Sequence, residues 1–522
     1  MKIKIVIVIV MACWFAIQGC YKDKGNYSYL PVNKVSITLD PPSREAYIGE
    51  VYTYTPTLAF SDPDTAGRFR FWWENMGNMG LIDHHVVICE GLELRYEAKD
   101  IGQEGVQFCA EEIKTGTITT ASMTLSGSSR YGKGWLVLSD NAGASTLTYI
   151  RPGYEDIAGV RTRVYTDFPD LYSTLHPDDP LGRGPIAVRQ VMSQRGIYSI
   201  VYVVQEDETV CLNGQFYRKE VKIKDEFVGD APAGLKPVDF FEDSYTSMIL
   251  NEDGKIYFRE PYYGDNTDFF TYSFANFPMS YQGKELKIER LIPSLAISSY
   301  FSGMYDKENK KILWMKSFYG ESGLLLTPSY TTPPATYLDF SNLGDDMELL
   351  YCGTYGEYNL SANIVTVYVK GGESYIQQGK GTVTYFDDGL IILSEIKHFL
   401  FPDNSHITSN TKFYQLKTRP YLFFAEGNQV YWYDLTTTDM VRLFYTFPAG
   451  EKVVDMSSNP QESELGVILE SGKFITLDVR NEMLMTGVKI YETTIPGKAV
   501  DLEYRFTEYS QYSNRTSTNA AD

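Results

Sequence analysis

The fold class that the sequence predicts is all-β: an immunoglobulin-like sandwich followed by a β-propeller of about seven blades. Three observations predict it. Apolar residues alternate with polar ones at period two from Val32 onward, in short runs separated by turn residues. A hairpin unit of two apolar strands around a polar turn then recurs seven times. Composition agrees, because 41 tyrosines suit half-buried pleated positions.

The chain has 522 residues, more than one small core accommodates, so several domains are expected. Its first stretch reads as a leader, residues 1–19. Lys2 and Lys4 precede an apolar run from Ile5 to Ile17, and Ile17-Gln18-Gly19 leads into Cys20. That is the pattern of a lipoprotein signal, with cleavage before Cys20 and acyl chains added to it. The run falls short of the ~20 residues that a bilayer-spanning helix needs. Lipid on Cys20 would hold the chain on a membrane without one. Residues 20–30 (CYKDKGNYSYL) are short and polar and read as a tether.

Residues 31–128 carry the sandwich pattern. Val35, Ile37 and Leu39 share a face, and Pro41-Pro42 stops that strand. Tyr52, Tyr54 and Leu58 share the next, then Phe69, Phe71 and Trp73, then Leu92, Leu94 and Tyr96. Val106, Phe108 and Ala110 follow, and Ile118 to Leu125 is the last strand. Short antiparallel strands over about 100 residues suit an immunoglobulin-like sandwich, with Trp73 as the ring buried between sheets. Cys89 and Cys109 are the pair expected to share this domain, and export permits a disulfide between them. Alternation with the inward Phe108 points Cys109 outward, which argues against the bridge.

The segment from Cys20 to Tyr27, the Phe71-Trp72-Trp73 strand and Gly105-Val106-Gln107-Phe108 together resemble the PKD-like family of surface lipoproteins of Gram-negative anaerobes. Phe71-x-Trp73 keeps that family's aromatic strand, whereas Val106 or Phe108 with Glu111-Glu112 only approximates its second motif. The resemblance implies a PKD-like domain, an outer-membrane lipoprotein facing the cell exterior, and association with starch-utilisation-type nutrient-uptake systems. It transfers no catalytic residue. The periplasmic face stays open as the alternative location.

After the Ser126-Gly127-Ser128-Ser129 loop, the propeller is expected over residues 130–506. Its hairpins begin near residues 134, 200, 247, 303, 363, 421 and 466. Spacing of this order matches four-stranded blades. Asp253-Gly254, Glu426-Gly427 and Ser471-Gly472 occupy turns where glycine accepts positive φ. Six or eight blades also fit, because Thr382 to Glu395 resembles a further hairpin and Ile157 to Arg195 is irregular. Lys489 to Phe506 is expected to supply the strand that closes the ring, and residues 507–522 read as a disordered tail.

The net charge of −20 repels phosphate backbones and excludes nucleic acid as a main partner. No Gly-rich phosphate loop, GxSxG elbow or HExxH helix occurs, and no catalytic residue, metal ligand or cofactor is assigned. His84-His85, His176-Pro177-Asp178-Asp179 and Asp62-Pro63-Asp64 lack metal-ligand spacing and read as loops. The candidate ligand-binding loop is Tyr257 to Tyr272. There Tyr262, Tyr263, Asp265 and Asn266 combine aromatic faces with polar groups. The expected function is a lipid-anchored envelope binding or scaffold protein that accompanies glycan or peptide uptake, more a binding protein than an enzyme. Its partners would be the membrane, outer-membrane uptake proteins and a glycan or peptide ligand. A propeller glycoside hydrolase or lyase is the alternative.

Overall fold

The structure, a computed structural model, describes residues 32–63, 67–76, 86–99, 102–191, 200–242, 246–260, 273–293, 301–317, 323–358, 360–384, 389–402, 406–438, 440–480, 483–484 and 487–505. It divides into two compact units between Ser128 and Ser129, and nearly all its regular structure is strand.

In the first unit a five-stranded sheet runs in the order Ser43–Tyr47, Thr117–Ser128, Gly102–Glu112, Phe69–Asn75, Val86–Glu90. The first pair is parallel and the rest are antiparallel. Two smaller pairs, Val35–Thr38 with Thr57–Phe60 and Val51–Tyr54 with Leu94–Glu97, contribute to the same apolar core. The expected ring is at its centre: Trp73 is fully buried, 4.9 Å from Phe108 and edge-on to Tyr54. Its indole N–H donates to the Leu92 carbonyl at 3.0 Å, so burial leaves no donor unpaired.

The structure decides the open question of the Cys89–Cys109 bridge against it, and corrects the outward placing of Cys109. Cys109 is buried like its neighbours Phe108 and Ala110, and not exposed. It and Cys89 are both free. They pair with opposite edges of Phe69–Asn75, Cys109 across from Trp72 and Cys89 across from Trp73. Two strand spacings, about 9.5 Å, separate such backbones, whereas a disulfide needs Cα atoms about 4.4–6.8 Å apart.

The second unit is built from seven blades among the described residues. The first contains Lys498–Arg505, Gly134–Asn141, Ala144–Ile157 and Val160–Phe168, from the axis outward. The second contains Pro185–Val191, Ile200–Gln205, Val210–Asn213 and Lys219–Lys222. Three strands describe the third: Pro237–Glu242, Ser247–Asn251 and Ile256–Arg259. The fourth contains Ile288–Ile292, Phe301–Asp306, Lys311–Lys316 and Leu325–Tyr330, and the fifth Met347–Tyr358, Ser361–Lys370, Glu373–Thr382 and Leu390–Leu400. The sixth contains Lys412–Gln415, Tyr421–Glu426, Gln429–Asp434 and Val441–Thr446, and the seventh Val453–Ser458, Glu464–Leu469, Lys473–Asp478 and Lys489–Thr494. The fourth and fifth also join through their outermost strands, which pair in parallel.

All seven hairpins of the sequence pattern are the second and third strands of a blade. They read as unbroken apolar runs because both faces of a blade are covered by its neighbours; Ile200–Gln205 and Phe301–Asp306 are buried along their whole length. The described part of the irregular stretch, residues 157–191, holds the outermost strand of the first blade, the short helix Leu171–Leu175 and the innermost strand of the second. Among the described residues Thr382 to Glu395 adds no blade: Thr382 ends the third strand of the fifth blade and Glu395 lies in its fourth.

The closing segment is two strands. Lys489–Thr494 is the outer edge of the seventh blade, and Lys498–Arg505 pairs with Gly134–Asn141 as the inner edge of the first. Arg505, fully buried, donates to the carbonyls of Tyr131, at 3.1 Å, and Gly214 and lies over the Tyr217 ring. One side chain thus ties the last strand to the start of the ring and to the second blade.

Candidate functional site

Innermost strands alternate, and that alternation builds a charged channel. Val188, Phe240, Met456 and Leu502 are buried between blades, while their neighbours Arg189, Asp239, Asp455, Asp501 and Glu503 line an axial cavity of about 420 Å³. Every blade contributes to the lining; Arg290 comes from the fourth, Tyr351 from the fifth, and Phe413, Tyr414 and Gln415 from the sixth.

Arg189 is the hub. Its Nε donates to Asp239 Oδ1 at 2.9 Å and its Nη1 to Asp501 Oδ2 at 2.5 Å. Asp501 also accepts the Val188 N–H at 2.7 Å, and Asp455 accepts the Leu502 N–H at 3.2 Å. These carboxylates therefore stitch the seventh, first, second and third blades together. Elsewhere Arg290 donates to the Leu350 carbonyl, and Tyr414 shares a 2.9 Å hydrogen bond with the Ser458 hydroxyl.

The channel shifts its base and its acids the same way, upward, which favours the charged form of the base and the neutral form of the acids. Burial works against the Arg189 charge, but the Asp239, Asp501, Glu503 and Asp455 carboxylates together more than offset it and hold the guanidinium firmly protonated. Asp455 is pushed well above the usual carboxylate range, by enclosure first and then by the charge and hydrogen bond of Asp501. Glu503 is raised to about 7, mainly by enclosure, with Asp501 adding to the rise and Arg189 and Lys417 opposing it. Opposite this polar arc stands an aromatic one, in which the Tyr351 and Phe413 rings stack at 5.4 Å.

This set of groups is suited to binding. Asp455 and Asp501 are in mutual hydrogen-bond contact, whereas the carboxyl pairs of glycoside hydrolases stand about 5–5.5 or 6.5–9.5 Å apart. Burial pushes the Cys352 thiol up to about 12, so it is no thiolate nucleophile. Among the described residues no group of three His, Cys, Asp or Glu is placed to hold a metal.

Tyr262, Tyr263, Asp265 and Asn266 lie outside the described residues, as do Cys20 and His84-His85. His176 and Asp179 serve as braces: His176 Nε2 meets the Phe216 carbonyl at 2.9 Å, and Asp179 accepts from Tyr172 and Lys219 at 3.0 and 2.8 Å. Asp62 pairs with Arg68 at 2.5 Å. The channel acids were not singled out by the sequence analysis, although a signal exists. Val238-Asp239-Phe240, Val454-Asp455-Met456 and Val500-Asp501-Leu502 repeat one tripeptide on three innermost strands.

A model described as the PKD-like family matches residues 20–179, which takes in the sandwich and continues through the outermost strand of the first blade. No curated protein matches the chain. Among solved structures it is similar to a Quinonprotein alcohol dehydrogenase-like protein from Bacteroides thetaiotaomicron. Identity is 12%, coverage is 92% of this chain and 100% of that one, and the TM-score is 0.40. It is also similar to a putative 6-phosphogluconolactonase from Bacteroides fragilis, at 9% identity over 72% of this chain and 98% of that one, with a TM-score of 0.43.

Proposed function

We propose that this chain is a binding protein of the bacterial envelope, anchored by lipid on Cys20, whose propeller channel receives a ligand on behalf of an outer-membrane uptake system. The observation that carries the binding role is the channel itself. A cavity of about 420 Å³ falls within the usual size of ligand sites, and its acids are engaged with Arg189 and with one another and not set apart as an acid and a base. The anchor is supported by the leader pattern ending in Cys20, and the uptake role rests on the resemblance of the Cys20–Tyr27, Phe71–Trp73 and Gly105–Phe108 segments to PKD-like surface lipoproteins.

Two experiments test it. Fractionated cells should carry the protein in the membrane and the Cys20→Ser variant in the soluble fraction; equal partitioning would remove the anchor. Polysaccharides, their fragments and peptides should be screened against the lipid-free chain by its melting midpoint. A ligand at 100 times its Kd stabilises by about 2.7 kcal/mol. A stabilising ligand that is recovered intact supports binding, and turnover would assign an enzyme instead.

A further inference from the structure

The channel wall has more acceptors than donors. Five carboxylates line it (Asp239, Glu242, Asp455, Asp501 and Glu503) against three cations (Arg189, Arg290 and Lys417). Glu242 is paired with Arg259 at 2.9 Å. Arg189 is committed to Asp239 and Asp501, and Arg290 meets a backbone carbonyl. Asp455 is hydrogen-bonded by backbone N–H groups and the Asp501 carboxyl and feels the Arg189 charge without being in an ion pair with it. Glu503 has Arg189 and Lys417 nearby but is in an ion pair with neither.

A second observation is independent of the acids. Gln415 lines the same cavity, is 1% exposed, and spends its amide hydrogens on the Leu416 and Arg419 carbonyls at 2.7 and 3.0 Å. Its Oε1 has no hydrogen-bond partner. A buried acceptor left unpaired is costly, and because this one is enclosed in the wall, a ligand's donor relieves it only by shifting the side chain.

We propose that the propeller channel is the receptor for a small ligand bearing a protonated primary amine. The ammonium group donates to Asp455 and Glu503, and the rest of the ligand occupies the cavity lined by Tyr351 and Phe413. This rests on the channel being a binding site and adds the class of ligand. The raised position of Glu503 fits it: the carboxylate lacks a full counter-charge, which an ammonium ion supplies. The cavity's size limits what enters to a monomer, or to one end unit of a longer chain. Amino sugars and free peptide amino termini share this chemistry.

The test uses the full chain without lipid (Cys20→Ser) and matched probes: glucosamine against N-acetylglucosamine, and Ala-Ala amide against its N-acetyl form. Calorimetry at pH 7 should show at least one amine binding tenfold or more tightly than its acetylated twin. Proton release should be visible in buffers of different ionisation enthalpy, and the preference should shrink at pH 5.5. Which pair responds identifies the source as sugar or peptide. Glu503→Gln and Asp455→Asn should each reduce the preference at least tenfold while a cooperative melt is retained. If either variant fails to fold, the amine-against-acetyl comparison on the unsubstituted side chains decides alone.

Equal binding of both twins, with competition for the channel, overturns the amine inference and leaves the binding role standing. A preference unchanged in both folded variants also overturns it. No binding by any probe, together with a blank polysaccharide and peptide screen, overturns both.

Discussion

Glu503 shows how one side chain makes the propeller sensitive to pH. Its carboxyl titrates near 7 in the fold, against an ordinary 4.5. Between those values the folded chain keeps a proton that the unfolded chain has released. Stability therefore falls as pH rises through the window, by on the order of 3 kcal/mol for the full shift. Glu226, enclosed beside Arg259, is likewise raised to about 7 and acts in the same direction. Glu503→Gln imitates the protonated form. We expect its melting midpoint to exceed that of the unsubstituted chain at pH 8 and to converge with it near pH 5. A midpoint difference that grows toward acid would refute the assignment.

At the scale of elements, the blade hairpin is the unit that repeats, and its turns set how closely blades approach. Gly472 turns the hairpin of the seventh blade at φ +83°, and a Cβ there would stand 2.4 Å from the Gly497 carbonyl oxygen. Gly427 makes the equivalent turn of the sixth blade at φ +58° with open space around it. Gly427→Ala should cost only the left-handed backbone penalty, about 1–2 kcal/mol. Gly472→Ala adds overpacking against backbone, a further ~1–3 kcal/mol. Denaturant midpoints of the two variants should separate accordingly, and equal losses would show that the seventh turn relaxes. Hairpins of this kind were legible because burial on both faces makes them continuously apolar and because their turns need glycine. Innermost strands were not, since only alternate residues enter the core while their partners are charged, as in Val500-Asp501-Leu502-Glu503.

At the scale of the whole molecule, the ring is closed by the end of the chain. Lys498–Arg505 supplies the inner edge of the first blade, and Tyr504 meets Trp135 edge-to-face at 4.7 Å. Truncation after Ile495 removes that strand, the Arg505 tie and the channel acids Asp501 and Glu503 together. The second unit should then lose its cooperative melting transition and its channel ligand. A truncated chain that still melts cooperatively would mean that the ring closes without its last strand.

What the sequence by itself determined is the all-β class, a sandwich built around Trp73 and a ring of about seven hairpin units. Those features depend on local periodicity, turn chemistry and the count of repeats, all of which lie within short stretches of chain. Tertiary structure alone decided the site. Arg189, Asp239, Asp455 and Asp501 come from four blades spread over more than three hundred residues of sequence, and only closure of the ring sets them around one axis. It likewise decided the fate of the cysteines, because the strand between Cys89 and Cys109 follows from pairing order, which no local pattern encodes.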